Sequence, residues 1–313
     1  MKDLSISKVI LALTPLVVAL PFAMDIYIPA VPTITQYMHV TPGMMQLTLN
    51  LFMIISGISQ LFFGPLTDRY GRRLITLFAI VLFSIASVIC TMSNTLTTLL
   101  LGRILQACGS CGMMVLGFAI ARDLFDDNKL AKVYSFLNGV ISISPMFGPF
   151  IGSHLDVNFG WQATFESLLV ISVLAILFYY TLLPETWPKE KRTPLGKDLL
   201  PNYKNILFNP IFFIYTLSSA FGLSYLFIFC AISPILIITL LHVPELDYGY
   251  YFCFMGISLF IGSFIAGMIV EKLGVYRTIL WGYGITLLGA AIMLAWYFIT
   301  GLTLYDFVLP MEL

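Results

Sequence analysis

The chain has 313 residues, of which 59% are hydrophobic and 10% charged, with 16 acidic and 16 basic side chains. Its mean hydropathy is +0.94. A water-soluble domain carries about 25% charged residues, so this composition excludes an ordinary soluble enzyme, and zero net charge argues against a nucleic-acid partner. The chain is read as built for lipid, where counting domains by length does not apply.

The N-terminus "MKDLSISKVI" places two lysines before an apolar run. The run continues to about Val31, too long for the core of a signal peptide, and lacks a clean small-x-small cleavage site. It is read as a retained first span. A span needs ~20 mainly apolar residues. Nine segments qualify: 9–31, 44–66, 73–93, 97–119, 133–153, 161–183, 209–238, 249–270 and 277–299. The tail "LYDFVLPMEL" is too short to be another span. The expected fold class is an all-α polytopic membrane protein.

Lysine and arginine collect in cytoplasmic loops. With the N-terminus inside, Lys2, Lys8, Arg69, Arg72, Arg73, Arg122, Lys129, Lys132, Lys189, Lys191, Arg192, Lys197, Lys204, Lys272 and Arg277 all fall on the inner side. The outer loops hold no basic residue, and the remaining one, Arg103, lies inside a span.

Between the second and third spans stands "GPLTDRYGRR", Gly64 to Arg73. Orientation alone explains Arg69, Arg72 and Arg73 but not the glycines or Asp68. Gly71 permits a tight turn. Asp68 is expected just past the C-terminal end of the second helix. The helix dipole disfavours its charge there, so it needs cationic or helix-N-terminal partners. A degenerate second copy, "GMIVEKLGVYR", follows at Gly267–Arg277 and aligns Asp68 with Glu271 and Arg69 with Lys272. The copy points to an internal repeat.

Buried charges in lipid are expensive and default to function. Asp25 and Arg103 lie equally far from the outer ends of their spans, about 9 Å deep at ~1.5 Å per residue. They can therefore pair, either as a structural ion pair or as a protonation switch. In the switch, Asp25 is ionised against Arg103 and takes up a proton on separation. Pro21 frees a backbone carbonyl and is expected to kink the first helix near Asp25. Gln106 stands one turn from Arg103. Glu166 faces either the cavity or the headgroups. Asn50 and Tyr225 fall near the depth of Asp25. Tyr27, Met53, Met114 and Phe229 lie close enough to line a substrate cavity, where methionine and aromatics suit adaptable binding of apolar cations. Lipid-facing or packing roles are the alternative for each.

Cys108 and Cys111 spell C-x-x-C, but inside an apolar helix, with no second pair or nearby histidine, small-residue packing is expected. His39, His154 and His242 are placed in outer loops and form no metal site. No Walker loop or paired catalytic carboxylates appear, so neither ATP-driven transport nor an enzyme is expected.

The loop Gly64-x-Leu66-x-Asp68-Arg69-x-Gly71-Arg72-Arg73 resembles the signature of the major facilitator superfamily. The stretches "DIYIPAVP", "LGRILQACGSCGMMVLGFAIARDLF" and "LPET" resemble its bicyclomycin/chloramphenicol-resistance (Bcr/CflA) branch of drug:proton antiporters. The fifth span carries Gly139, Pro145, Gly148, Pro149 and Gly152 in the antiporter pattern, with Ser153 where a second glycine is common. By residue chemistry alone these positions also suit generic helix packing. The resemblance implies a packing surface with the eighth span that controls access, and gating by the Gly64–Arg73 loop. It implies two halves, 1–183 and 209–313, joined by a cytoplasmic linker, 184–208. It further implies a monomer in the bacterial inner membrane, exporting small amphipathic compounds against protons, with the proton gradient as energy source and no cofactor.

The superfamily has twelve helices; this sequence reads as nine and the stub of a tenth. In the family, the Asp68 loop contacts helix 11 in the outward-open state. The alternative expectation is therefore a truncated, transport-inactive fragment. The antiporter pattern argues against an uptake carrier.

Overall fold

The computed structural model describes residues 5–188, 190, 192 and 204–300. The proposed stub at 301–313 and most of the linker lie outside the described residues. A long helix stands at each of the nine expected segments: α1 (Ile6–Asp25), α3 (Pro42–Tyr70), α4 (Arg72–Thr91), α5 (Leu96–Leu124), α6 (Asp127–Phe159), α7 (Gln162–Leu182), α8 (Pro210–Pro234), α9 (Glu245–Leu273) and α10 (Val275–Thr300). A short α2 (Val31–Tyr37) and a π turn (Ile235–Leu240) complete the set. Seven of these helices are long and apolar enough to cross a membrane, and no strand occurs among the described residues.

The first span departs from its expected limits. It does not run to Val31: α1 stops at Asp25 and a tight turn leads into α2. The cause is Pro29, whose ring would clash with the carbonyl of the residue four before it, which is Asp25. That carbonyl instead accepts from the Ile28 N–H at 3.3 Å. Pro21, where a kink was expected, lies inside the continuous helix.

Helix α5 is the hub of the N-terminal half and packs on α1, α3 and α4. Its small residues make this possible. A methyl at Gly109 would stand 2.6 Å from the Phe83 backbone of α4, and one at Gly117 would stand 2.6 Å from Val17 of α1. The C-x-x-C stretch serves the same packing: Cys111 donates to the Ser56 carbonyl and Cys108 accepts from Ser59, both on α3.

Helix α6 touches α1 with one face and α9 with the other. Ser144, Gly148 and Gly152 recur at four-residue spacing and therefore share a face. A Cβ at Gly148 would meet Asp25 at 2.6 Å, and one at Gly152 would collide with the Ile26 carbonyl. These glycines were expected to face the eighth span, but they seat α6 on α1. The contact with α9 relies on glycines of α9: Gly249 lies over Ser153, and Gly256 lies against Met146. His154, expected in a loop, is inside α6, where Nδ1 pairs with the Phe150 carbonyl.

Gly139 of the same helix has open space around it. Gly152→Ala is therefore expected to destabilise by ~1–3 kcal/mol through overpacking, whereas Gly139→Ala stabilises by ~0.5–1 kcal/mol through helix propensity. Thermal unfolding of the two purified variants in detergent checks the opposite signs.

Candidate functional site

The polar centre forms where α1 ends. Asp25 is the last residue of α1 and 6% exposed. The Ser144 hydroxyl of α6 donates to its Oδ2 at 2.8 Å. Arg103, on α5, is fully buried. The expected ion pair between them does not form. Arg103 Nη1 donates to the Ala23 carbonyl at 2.8 Å and to Gln106 Oε1 at 2.7 Å. The last carbonyls of a helix lack intrahelical donors and favour a cation. Arg103 thus caps the broken end of α1, and that geometry turns it away from the carboxylate.

Among the described residues, Arg103 Nε and Nη2 have no hydrogen-bond acceptor. The guanidinium carbon lies 4.7 Å from the Tyr27 ring centroid and 4.1 Å from that of Phe52. Ring faces thus supply the negative potential that a carboxylate would otherwise provide. Gln106 passes the network on, donating to Ser87 Oγ at 2.9 Å. Tyr27 is fixed by its own hydroxyl contact to Thr48, 2.9 Å away, and by the Phe165 ring.

The cavity residues divide. Asn50 is exposed and Met53 half-buried on α3. Both share the helix face of Gln46, whose Nε2 reaches the Ala231 carbonyl of α8 at 3.4 Å, so this face looks toward the C-terminal half. Gln60 continues the stripe. Gln46, Gln60 and Ser144 were not singled out in the sequence, although glutamines in an apolar span are a readable signal. Met114 is half-buried on the Arg103 face of α5. Phe229 does not line an open cavity: it is 6% exposed and packs against Phe252 of α9. The side chain of Tyr225 lies outside the described residues, as do those of Gly267, Glu271 and Lys272 in the second motif copy. Glu166 is exposed on the apolar outer face of α7, beside Val170 and Val173, which fits the headgroup reading.

The second polar cluster lies at the basic end of the bundle. Asp68 is in the last turn of α3 rather than beyond it, because the helix continues to Tyr70. Gly71 then turns the chain with φ 94°. Arg72, 7% exposed, donates Nη1 to Asp68 at 2.8 Å and to Thr67, and Nε to Asp123 of α5 at 2.9 Å. Glu185 accepts from the Arg72 N–H at 2.9 Å and from the Arg73 N–H. It thereby satisfies the free amides at the N-terminus of α4. Trp187 lies under the Arg72 guanidinium at 4.7 Å and donates Nε1–H to the Asp68 carbonyl at 3.2 Å. A Cβ at Gly71 would strike Arg192 and Glu185, so the glycine is required by both conformation and space. Arg73 lies over Tyr180, while Arg69 is exposed and contacts only Tyr70 among these rings. Gly64 has free space.

The sequence matches the Major Facilitator Superfamily over residues 13–311. The chain belongs to that superfamily. It is 30% identical over 290 residues to a chloramphenicol resistance protein of Pseudomonas aeruginosa, covering 92% of this chain and 68% of the relative. It is 29% identical to a bicyclomycin resistance protein homolog of Haemophilus influenzae, covering 81% of this chain and 64% of the relative. It is 28% identical to the multidrug resistance protein MdtL of Escherichia coli, covering 92% and 73%. Among solved structures, a D-xylose–proton symporter superposes with a TM-score of 0.73 at 16% identity, covering 98% of this chain and 78% of that one. A bacterial homolog of the lysosomal transporter Spinster superposes equally well, at 17% identity over 98% of this chain and 71% of that one. The protein is thus a multi-pass membrane transporter of the superfamily, not an enzyme, and the three relatives named above are drug-resistance proteins or a homolog of one.

Breaking a buried ion pair from one side costs ~3–5 kcal/mol. Arg72→Ala is expected to lose that amount, seen as a clear fall in thermal unfolding midpoint, while Arg69→Ala leaves the midpoint unchanged.

Proposed function

We propose that this superfamily member exports small amphipathic compounds across the bacterial inner membrane, N-terminus in the cytoplasm, in exchange for protons. Its kinship to chloramphenicol, bicyclomycin and multidrug resistance proteins supports efflux. One observation carries the coupling: Asp25 is a buried carboxyl within a span, bonded to Ser144 and in no ion pair among the described residues. An ionisable group so placed is a carrier of protons rather than a structural partner.

Asp25 is the proton carrier in this reading. Arg103 positions it by capping the turn between α1 and α2. Substrate is taken up in the space between the halves, against Asn50, Met53 and Met114, with the buried Tyr27 and Gln106 holding Arg103 behind them. The pairs at Asp68–Arg72 and along α6 act as gates. Energy comes from the proton gradient alone, and the protein works as a monomer.

The test is efflux of ethidium, and resistance to chloramphenicol, in pump-deficient bacteria expressing the 313-residue chain. Uncoupler-sensitive efflux is expected, and its loss in Asp25→Asn at equal membrane abundance. Full proton-driven efflux by Asp25→Asn removes Asp25 from the mechanism. An inserted chain that moves neither compound favours the transport-inactive alternative.

A further inference from the structure

At the end of the bundle opposite the α3–α4 turn, α6 and α9 bring two carboxyls together. Asp156 stands near the end of α6 and is 6% exposed. Glu245 opens α9, four residues before the apolar run that starts at Gly249. Glu245, Gly249, Phe252 and Gly256 recur at helical spacing and share one face. Gly249 and Gly256 bind that face closely to α6, so Glu245 is carried onto α6 by the same packing. The Glu245 carboxyl lies within hydrogen-bonding reach of Asp156. Yet Asp156 Oδ2 and Glu245 Oε1 are both buried and find no donor among the described residues. Acceptor faces acceptor, and only a shared ligand resolves that.

We propose that Asp156 and Glu245 form a proton-binding site, distinct from Asp25, that joins the two halves: one proton held between the carboxyls keeps α6 and α9 together, and its release drives them apart.

No lysine or arginine stands on the stretches of α6 and α9 that carry the pair. Neither 133–188 nor 205–271 contains a lysine or arginine. The other titratable groups on the elements packed here are His154 of α6, Asp247, Tyr248, Tyr250 and Tyr251 of α9, His242 before it, Cys230 of α8, Asp25 of α1 and Glu166 of α7. His154 is engaged with the Phe150 carbonyl and the Phe150 and Tyr250 rings. The Tyr248 hydroxyl bonds Ser233. A divalent metal is the weaker ligand choice, because among the described residues no group of three or more His, Cys, Asp or Glu could hold one. Two like charges in a buried site cannot both ionise cheaply. Burial first, and the facing Asp156 second, hold the Glu245 carboxyl well above the usual carboxylate range. The sign follows. A raised carboxyl stabilises the joined state while protonated, and that contribution is lost as pH rises through its folded-state value. The site needs only the α6–α9 contact, so it stands whether or not the chain transports.

The experiment is infrared difference spectroscopy of the full chain in lipid nanodiscs, paired with hydrogen exchange. At neutral pH a protonated-carboxyl band is expected in the wild type and in Asp25→Asn. It should bleach on alkalinisation, and the band that remains in Asp25→Asn should be lost when Asp156→Asn and Glu245→Gln are added to that variant. Amide protection over 150–158 and 245–252 should fall by roughly 10-fold more in the wild type than in the Asp156→Asn/Glu245→Gln double variant over the same rise in pH, the factor carried by one unit of pKa. If the double variant unfolds, the wild-type and Asp25→Asn spectra decide alone. A band that disappears with Asp25→Asn, no band at neutral pH, or a band displaced by added sodium or magnesium ions would each overturn the proposal.

Discussion

The close approach of α6 to α1 is the constraint on which the polar centre depends. Two glycines leave no side chain between the helices, so a serine hydroxyl one turn earlier can reach the carboxyl of Asp25. The packing is as tight as a protein interior allows. Widening it by one methyl at Gly152 would press on the Ile26 carbonyl, in the very turn that ends α1. Helix packing and the chemistry of the carboxyl are therefore a single feature. The residues of the antiporter pattern shape the surroundings of a buried acid before they shape any gate.

Arg103 shows how a buried cation can be held without an anion. A carbonyl, an amide and two aromatic faces share its charge. The planar guanidinium suits this arrangement and an ammonium would not, because it donates in its plane while remaining free to meet aromatic rings. The consequence for Asp25 is freedom: its charge state is not tied to a fixed counter-ion. At the basic end the logic is reversed. There Arg72 is gripped by two carboxylates, and the linker residues Glu185 and Trp187 close over it, which makes a rigid corner of the α3–α4 turn.

Much of this was legible in the sequence. Apolar runs gave the long helices, the arginines and glycines gave the turn at Gly71, and charges within spans singled out Asp25 and Arg103. Depth along a span did not reveal direction around the helix, and so the two were expected to pair. The break after Asp25 was also readable in principle, since Pro29 stands four residues beyond it, but hydropathy runs smoothly across the turn and concealed it. Phe229 was misplaced for a related reason: in a chain so rich in aromatics, composition does not separate a core ring from a cavity ring. Glu185, Trp187 and Asp123 came together only through tertiary contact between distant segments. Asp156 and Glu245 lay just outside the apolar runs, where acidic residues look like ordinary loop polarity.

Among the described residues, Gln46 reaches Ala231, Gly249 lies over Ser153, Gly256 meets Met146, and α2 touches the π turn. These contacts join the halves on the side of Asp25. A molecule approaching the polar centre from that side must wait for them to part, so its association rate is set by the protein rather than by its own concentration.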